Sequence, residues 1–340
     1  MSPQRSVIES VLLNAWQRRG LVACLLWPLS FLFNLLLVTR LAFYALGVFR
    51  ITILPVPVIV VGNIFVGGTG KTPLVIWIIQ LLQEQGWKPG VISRGYGASN
   101  QLVKSVEKNS EAKDVGDEPL LIARRTGVPV FIGPDRVAAG LALVKEHPDV
   151  NVIISDDGLQ HYALGRNIEI QLSDSRGNGN GWLLPAGPLR EPATRQSDFY
   201  VVNTSEESAG DAYAMQLIPV DAERLSDRSQ RKSLRDFSFV QSVAAVAGIG
   251  HPERFFTTLR SHGITLTATQ ALPDHFDYLS NPFADIEASV ILITEKDAVK
   301  CMHIAAIAND ARIWIVPVQA HVDASLAKHI LEKLHGHPIA

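Results

Sequence analysis

A predicted strand, a glycine-rich turn and a predicted helix follow one another between residues 58 and 82, and this arrangement most constrains the fold. Val58–Val61 is a β-branched run, which is typical of a strand buried in a parallel sheet. The turn contains Gly67–Thr72, and the apolar run Leu74–Leu82 predicts the helix. Backbone N–H groups of such a turn, with the positive end of the helix dipole, bind phosphates. The stretch therefore predicts an α/β fold with a mainly parallel sheet and a phosphate-binding loop.

Side chains of a loop of this kind have definite roles in P-loop enzymes. We expect Lys71 to reach the β- and γ-phosphates and the Thr72 hydroxyl to ligate Mg²⁺. Phe65 stands where the strict pattern has its first glycine, and an ordinary glycine turn with a surface lysine is the alternative. The residues predicted to contact a nucleotide are Phe65, Val66, Gly67, Gly68, Thr69, Gly70, Lys71 and Thr72.

A second apolar run, Val150–Asp157, ends in two aspartates at about one α/β domain's distance from the glycine loop. An apolar strand that ends in aspartate is the Walker B pattern, which places a carboxylate beside the Mg²⁺ of a P-loop enzyme. Asp156 and Asp157 are therefore predicted metal ligands together with Thr72, with either aspartate able to bind the ion. The alternative for both is a turn that follows a buried strand.

Length and composition limit the domain organisation and the partners. The chain has 340 residues, enough for two domains of ordinary size, and a net charge of −2 gives no reason to expect a nucleic acid partner. Two cysteines without a pairing or metal-binding pattern indicate a cytosol-facing protein. Changes in composition predict an N-terminal hydrophobic segment over 1–50, a P-loop core over 51–204, a connection over 205–240 that is polar and irregular as far as residue 232, and a smaller α/β domain over 241–340.

The run Leu21–Val38 is almost entirely apolar and has arginines on both sides. Three interpretations remain open: a helix that lies in a membrane interface, a single membrane span, and a buried core helix. The flanking charges and the nearby Trp16 and Trp27 favour the interfacial helix over the span. A signal peptide is not expected, because no small-residue cleavage site precedes the domain and a P-loop faces cytosolic ATP.

Seven motifs occur in a fixed order along the chain: Gly62-Asn63, Gly67–Pro73, Arg94-Gly95-Tyr96, Asp117-Glu118-Pro119, Asp156–His161, Leu184–Glu191 and Thr294–Asp297. Together they resemble the tetraacyldisaccharide 4′-kinases of lipid A biosynthesis. The resemblance implies that ATP, with Mg²⁺, phosphorylates the 4′-hydroxyl of a tetraacylated glucosamine disaccharide 1-phosphate to give the 1,4′-bisphosphate. It also implies a location at the cytoplasmic face of a Gram-negative inner membrane. We expect the protein to be a monomer.

The resemblance also implies roles for single residues. Asp117 is the expected general base, and His275, from the second domain, is expected to tune its pKa or orientation. For Asp117 the alternative is a helix cap, and for Arg136, Arg190 and Glu191 it is a surface ion pair. The residues expected to contact the substrate are Arg94, Tyr96, Arg136, Gln160, His161, Arg190 and Glu191.

Thr294–Asp297 differs from the Asn-Lys-x-Asp motif that reads guanine, because its lysine stands in the third place. The difference favours ATP over GTP. The alternative for this motif is a helix-capping box, with Thr294 as the cap and Asp297 three residues later. Two other functions share the glycine loop: a GTPase or metallochaperone-like switch, and a non-catalytic membrane module that binds ATP. The first would need a guanine reader and a metal-ligand cluster, and the second would not need Asp117.

Overall fold

The computed structural model describes residues 12, 14–97, 102–204 and 210–335. The chain divides into two compact units, each made from separate stretches. The first contains Met1–Lys71, Ser155–Met215 and Val322–Ala340, and the second contains Thr72–Ile154 and Gln216–His321. Changes of composition along the chain do not reveal an interleaved division of this kind, and the boundaries inferred from them stay a prediction.

The described residues form a mixed α/β fold. The strands are β1 Val58–Gly62, β2 Pro89–Ser93, β3 Lys104–Ser105, β4 Val130–Ile132, β5 Val152–Asp156, β6 Ile168–Asp174, β7 Phe199–Asn203, β8 Tyr213–Pro219, β9 Ala222–Arg224, β10 Arg231–Lys232, β11 Val243–Ala247, β12 Leu266–Ala271, β13 Val290–Thr294, β14 Ile313–Val316 and β15 Val318–Val322. The α-helices are α1 Leu21–Ala45, α2 Lys71–Glu84, α3 Ala112–Val115, α4 Asp117–Thr126, α5 Arg136–Glu146, α6 Pro252–Ser261, α7 Glu295–Cys301, α8 Ala305–Ala308 and α9 Ala324–His335. A 3₁₀-helix spans Leu234–Phe239.

In the first unit β6 lies between β7 and β1. β1 pairs in parallel with β6, β6 with β7, and β7 with β8. All five residues of β1 are buried, as its β-branched sequence predicts. Because parallel strands share a direction, the residues that follow β1, β6 and β7 lie at one edge of this sheet. Asp174 and Asn203 are paired partners at that edge.

The second unit contains strands of two sheets. β2 pairs in parallel with β4, and β3 pairs antiparallel on the other side of β4. The other sheet has the order β10-β9-β14-β13-β11-β12, in which the last four strands are parallel. Alternate residues of β11 enter two apolar clusters, one around Phe256 and Trp314 and one around Tyr278 and Phe283. Both faces of this sheet are therefore covered, which explains its nearly continuous apolar strands.

The polar, irregular connection predicted for 205–240 is wrong in its secondary structure. This stretch contains β8, β9, β10 and the 3₁₀-helix, and part of it, 205–209, lies outside the described residues. In β8 only Met215 is fully buried, so the strand lacks a clear apolar pattern. β8 pairs with β7, with Val201 opposite Tyr213, and this pairing satisfies the hydrogen-bonding groups of its backbone. The side chains of β8 alone do not predict a strand.

Helix α1 has 25 residues and a mean hydropathy of 2.3 over its most apolar part, of which 17% is buried. Its buried residues, Ala23, Ser30 and Leu37, recur every seven positions and form one narrow stripe. The Ser30 hydroxyl donates to the Leu183 carbonyl at 2.8 Å and accepts from the Ala186 N–H at 2.9 Å. Most of the remaining surface is apolar and exposed, so the interpretation as a buried core helix is wrong. By length and composition the helix could lie on a membrane or cross one.

The turn before Asp117 makes a testable prediction. Gly116 has φ +88°, and a Cβ there would lie 2.8 Å from the Tyr96 carbonyl oxygen. We expect Gly116→Ala to lower the free energy of unfolding by more than about 2 kcal/mol. The alanine would strain the backbone at this φ, and its Cβ would also clash with the main chain of Tyr96. Gly97→Ala is the control, since Gly97 has φ +83° but open space around it. Urea denaturation measures both, and equal losses would show that the contact with Tyr96 does not matter.

Candidate active site

The glycine loop lies between β1 and α2, where the sequence predicts it. Gly67 and Gly70 have φ of +111° and +99°, a region that residues with a side chain rarely adopt. The Asn63 side-chain amide donates to the Gly67 carbonyl at 3.1 Å and to the Thr69 hydroxyl at 3.2 Å. Within the described part of the chain, the N–H groups of Gly67–Gly70 donate to no other group. Four unused donors on a rigid loop are suited to bind an anion.

Asp157 pairs with Lys71 of this loop and with Arg190. Its carboxylate lies 3.4 Å from the Lys71 ammonium and 3.1 Å from the Arg190 guanidinium. Burial alone would raise the pKa of Asp157, but the charges of Lys71 and Arg190 outweigh it and lower the pKa below its ordinary value. Asp157 has φ +50°, a backbone conformation that residues with a side chain rarely adopt.

Asp156, the other predicted metal ligand, is buried at the carboxyl end of β5, and Thr72 is buried in the first turn of α2. A hydroxyl and a carboxylate are the hard oxygen ligands that Mg²⁺ prefers. Among the described residues no group of three or more His, Cys, Asp and Glu side chains could hold a metal by itself. Thr72 and Asp156 therefore each carry an oxygen donor of the kind that Mg²⁺ binds along with phosphates and water.

Glu191 is 1% exposed, so a surface ion pair does not describe it. Its carboxylate accepts hydrogen bonds from Gln160 at 2.8 Å, from Tyr162 at 2.5 Å and from Arg195 at 2.8 Å. Burial and the adjacent carboxylate raise the pKa of the Tyr162 hydroxyl. With its oxygens engaged in this way, Glu191 positions Gln160, whose side chain also lies 3.4 Å from the Asn63 carbonyl oxygen.

In the second unit, Asp117 is the first residue of α4 and is 4% exposed. One carboxylate oxygen accepts from the Glu118 N–H at 3.0 Å, and the other lies 3.0 Å from His275 Nδ1. Because an ionised carboxylate can only accept, Nδ1 carries the proton in this bond. Gly116, and not Asp117, occupies the capping position of the helix, so the interpretation as a cap does not hold.

Two lysines that the sequence interpretation missed also face Asp117. Lys296 Nζ lies 3.9 Å and Lys300 Nζ 3.7 Å from the oxygen that meets His275. Burial would raise the pKa of Asp117, but the His275 hydrogen bond and the lysine charges lower it to about 2. Lys296 and Lys300 are four residues apart on α7, and this spacing on one helix face was the available signal. Thr294 caps that helix and accepts from the Asp297 N–H at 3.2 Å, as the capping box predicts.

The hydrogen bond to Asp117 raises the pKa of His275, although burial opposes this. His275 has φ +58°, and its ring centroid lies 5.1 Å from that of Tyr96. Tyr96 and Arg94 are exposed on the same loop. Arg136 is buried at the start of α5, where it donates to the Gly133 carbonyl at 3.0 Å. The structure thus brings Tyr96 to His275, while Arg136 holds the turn before its own helix.

The chain resembles known proteins over its whole length. A family model described as tetraacyldisaccharide-1-P 4′-kinase matches residues 22–335. A protein named tetraacyldisaccharide 4′-kinase from Janthinobacterium sp. (strain Marseille) is 53% identical over 348 residues, covering 100% of each chain. A protein of the same name from Herminiimonas arsenicoxydans is 53% identical over 352 residues, covering 99% of each chain. A crystal structure described as the "apo" form of LpxK from Aquifex aeolicus in complex with ATP superimposes with a TM-score of 0.78 at 27% identity, covering 92% of this chain and 100% of that one.

The His275–Asp117 bond predicts a pH-dependent stability. A folded-state pKa raised above the ordinary value of 6.5 stabilises the fold fully below that pH, and the contribution is lost as the pH rises through the raised pKa. Asp274 and Lys296 also face His275 and modulate the effect. We therefore expect the difference in Tm between the wild type and His275→Gln to be larger at about pH 6 than at about pH 9.

Thermal unfolding at the two pH values measures this difference, with His262→Gln at the exposed end of α6 as the control. The control should change the Tm little, because the His262 side chain is exposed. A His275→Gln difference that stays constant or grows with pH would contradict the charged hydrogen bond.

Proposed function

The chain belongs to the tetraacyldisaccharide 4′-kinase family, and we propose that Asp117 and His275 together activate its acceptor hydroxyl. As a member it is a kinase of lipid A biosynthesis that uses ATP to phosphorylate the 4′-hydroxyl of a tetraacyldisaccharide 1-phosphate. The α/β fold and the kinase activity that the resemblance implies are confirmed. The two alternatives, a GTPase or metallochaperone-like switch and a non-catalytic ATP-binding module, do not apply to a member of this family.

The observation that carries the proposal is the 3.0 Å contact between His275 Nδ1 and the buried carboxylate of Asp117. A sugar hydroxyl is a poor nucleophile and gains from a group that accepts its proton. The Asp117 carboxylate is a weak base in this setting, because the His275 hydrogen bond and the lysine charges lower its pKa to about 2. The imidazole has a raised pKa, so the proton rests more favourably on the pair than on Asp117 alone. The two residues therefore act as one unit.

In the transfer step, the 4′-oxygen forms a bond to the γ-phosphorus while the bond from that phosphorus to the β–γ bridging oxygen breaks. The hydroxyl proton passes to the Asp117–His275 pair, and ADP leaves. Lys71 neutralises phosphate charge, and Asp157 keeps Lys71 and Arg190 in place for this. Thr72 and Asp156 carry the oxygen donors for Mg²⁺, which when bound would neutralise further phosphate charge.

For the substrate contacts, Tyr96 is the best supported, because its exposed ring lies against His275. Arg94 precedes it on the same loop, with its side chain exposed, and suits an anionic group of the substrate. Gln160, His161 and Arg136 are the other proposed contacts. Glu191 acts through Gln160, as a positioning residue rather than a direct ligand.

We also propose that α1 lies in the interface of the cytoplasmic face of the inner membrane and that the enzyme works there as a monomer. The support is the exposed apolar surface of α1, which includes Leu29, Leu32 and Leu36. An acylated substrate is itself embedded in a membrane, so an enzyme anchored at the interface meets it in two dimensions. Arg40, exposed near the end of the helix, suits anionic lipid headgroups.

The dyad predicts a characteristic pattern of mutant kinetics. We expect Asp117→Asn to lower kcat about 100-fold or more and to change the KM for ATP less than about threefold, since the residue acts on the acceptor. His275→Gln should lower kcat by a smaller factor than Asp117→Asn. The double variant should be about as slow as Asp117→Asn alone, because residues that act as a unit are not additive.

Steady-state assays with radiolabelled ATP and the lipid acceptor test this pattern, with Asp285→Asn, an exposed carboxylate of the second unit, as the control. A double variant that multiplies the two single losses would show independent action. A near-normal kcat in Asp117→Asn would show that Asp117 is not the general base.

The interfacial helix predicts a loss of membrane binding without a loss of chemistry. Leu29, Leu32 and Leu36 are 54%, 52% and 63% exposed, and we expect their joint replacement by glutamate to abolish flotation with liposomes of phosphatidylethanolamine and phosphatidylglycerol. Activity on detergent-dispersed substrate should remain. Phe239→Glu, at the most exposed large apolar side chain among the described residues, is the control and should still float.

Flotation that survives the triple substitution would move the membrane contact away from α1. Washing wild-type membranes at alkaline pH separates the two remaining orientations. An interfacial helix is released by the wash, whereas a span stays in the membrane.

A further inference from the structure

Three consecutive carbonyls of the glycine loop are each held by a side-chain donor. The Gly67 carbonyl accepts from Asn63 Nδ2 at 3.1 Å, and the Gly68 carbonyl accepts from Arg176 Nη2 at 3.0 Å. The Thr69 carbonyl accepts from Asn203 Nδ2 at 2.9 Å. Of the three donors, only Asn63 lies next to the loop in sequence, and Arg176 and Asn203 are more than one hundred residues away.

The parallel strands of the first unit place these three donors beside the loop. Asn63 follows β1, Arg176 follows β6 by two residues, and Asn203 is the last residue of β7. Since β1, β6 and β7 are parallel neighbours, all three side chains arise at the edge where the loop begins. Asn203 is 5% exposed, so its amide is buried together with the carbonyl that it binds.

Arg176 is itself fixed by other contacts. Its Nε and Nη2 atoms donate to the two carboxylate oxygens of Asp174 at 2.9 Å and 2.8 Å, and Asp174 is buried. The guanidinium lies 4.5 Å from the centre of the Phe65 ring. A paired contact with a carboxylate and a stack on an aromatic face are geometries that lysine cannot reproduce. The donor to Gly68 is therefore already in position before any ligand arrives.

The planarity of the peptide bond explains what these contacts achieve. In a trans peptide the carbonyl of one residue and the N–H of the next point in opposite directions. The carbonyls of Gly67, Gly68 and Thr69 point toward the side chains that donate to them. The N–H group of the next residue in each case, Gly68, Thr69 or Gly70, therefore points away from those side chains. These are N–H groups that donate to no other described residue. Glycine peptides rotate easily, so without these hydrogen bonds the loop would also populate conformations with a carbonyl in place of an N–H.

We propose that Arg176 and Asn203 are positioning residues for the nucleotide phosphates, which they serve by fixing the peptide orientations of the loop. The proposal rests on the assignment of Gly67–Thr72 as the nucleotide site. Neither residue belongs to the predicted site. Their effect is on the fraction of molecules whose loop is competent to bind, and the apparent Kd for ATP rises as this fraction falls. The acceptor lipid and the proton transfer are not affected.

The test compares Arg176→Met and Asn203→Ala with Arg260→Met, which removes an exposed arginine on α6 of the second unit. We expect each loop variant to raise the Kd for ATP and for ADP about tenfold, and the KM for ATP in parallel, since each loses one preorganising hydrogen bond to the loop. The KM for the lipid acceptor should stay within about twofold. Arg176→Lys, which keeps the charge but not the paired geometry, should recover only part of the affinity.

A purely structural role gives a different pattern. If the residues only supported the fold, Tm without nucleotide would fall by more than about 5 °C, and both KM values would change together. Such a result would overturn the proposal, as would an unchanged Kd for ATP in both variants. Asp117→Asn should bind ATP with the wild-type Kd, so failure of the dyad and failure of this proposal are distinguishable. Loss of ATP binding in Lys71→Ala checks the site on which the proposal rests.

Discussion

Parallel pairing of β1 with β6 and of β6 with β7 is the constraint on which the phosphate-binding side of this kinase depends. Parallel strands place all their carboxyl ends at one edge, so the loop after β1 meets side chains that follow β6 and β7. The buried, β-branched strand β1 gives this edge a rigid base. The glycine loop can then keep a demanding backbone conformation, because hydrogen bonds from three strands hold it.

Buried charge is handled in the same way in both units. Asp157 lies between Lys71 and Arg190 in the first unit, and Asp117 lies among His275, Lys296 and Lys300 in the second. In each case burial would favour the neutral acid, and the neighbouring cations reverse that preference. An ionised carboxylate that is buried and paired in this way orients its partners, which suits a reaction that depends on positioning and charge neutralisation.

Strained backbone conformations occur at two residues of these charged clusters, Asp157 and His275. Among the described residues, the non-glycine positions with positive φ are Asp157, His275 and Tyr278. The first two are proposed active-site residues, and Tyr278 is fully buried, with its ring stacked on Phe283 and 5.3 Å from Lys300 Nζ. Strain of this kind persists only where the surrounding packing determines the conformation. Packing around Tyr278 can therefore hold the loop that carries His275.

The sequence by itself determined the α/β class, the glycine loop and the family, because those signals are carried by residues that are neighbours in the chain. It also predicted the capping box at the start of α7, where the Thr294 hydroxyl accepts from the Asp297 N–H. Only the tertiary structure decided that Glu191 is a buried partner of Gln160, that β8 is a strand, and which side chains surround Asp117 and the glycine loop. These contacts join residues far apart in sequence, and packing of the strands and helices, rather than any local pattern, brings them together.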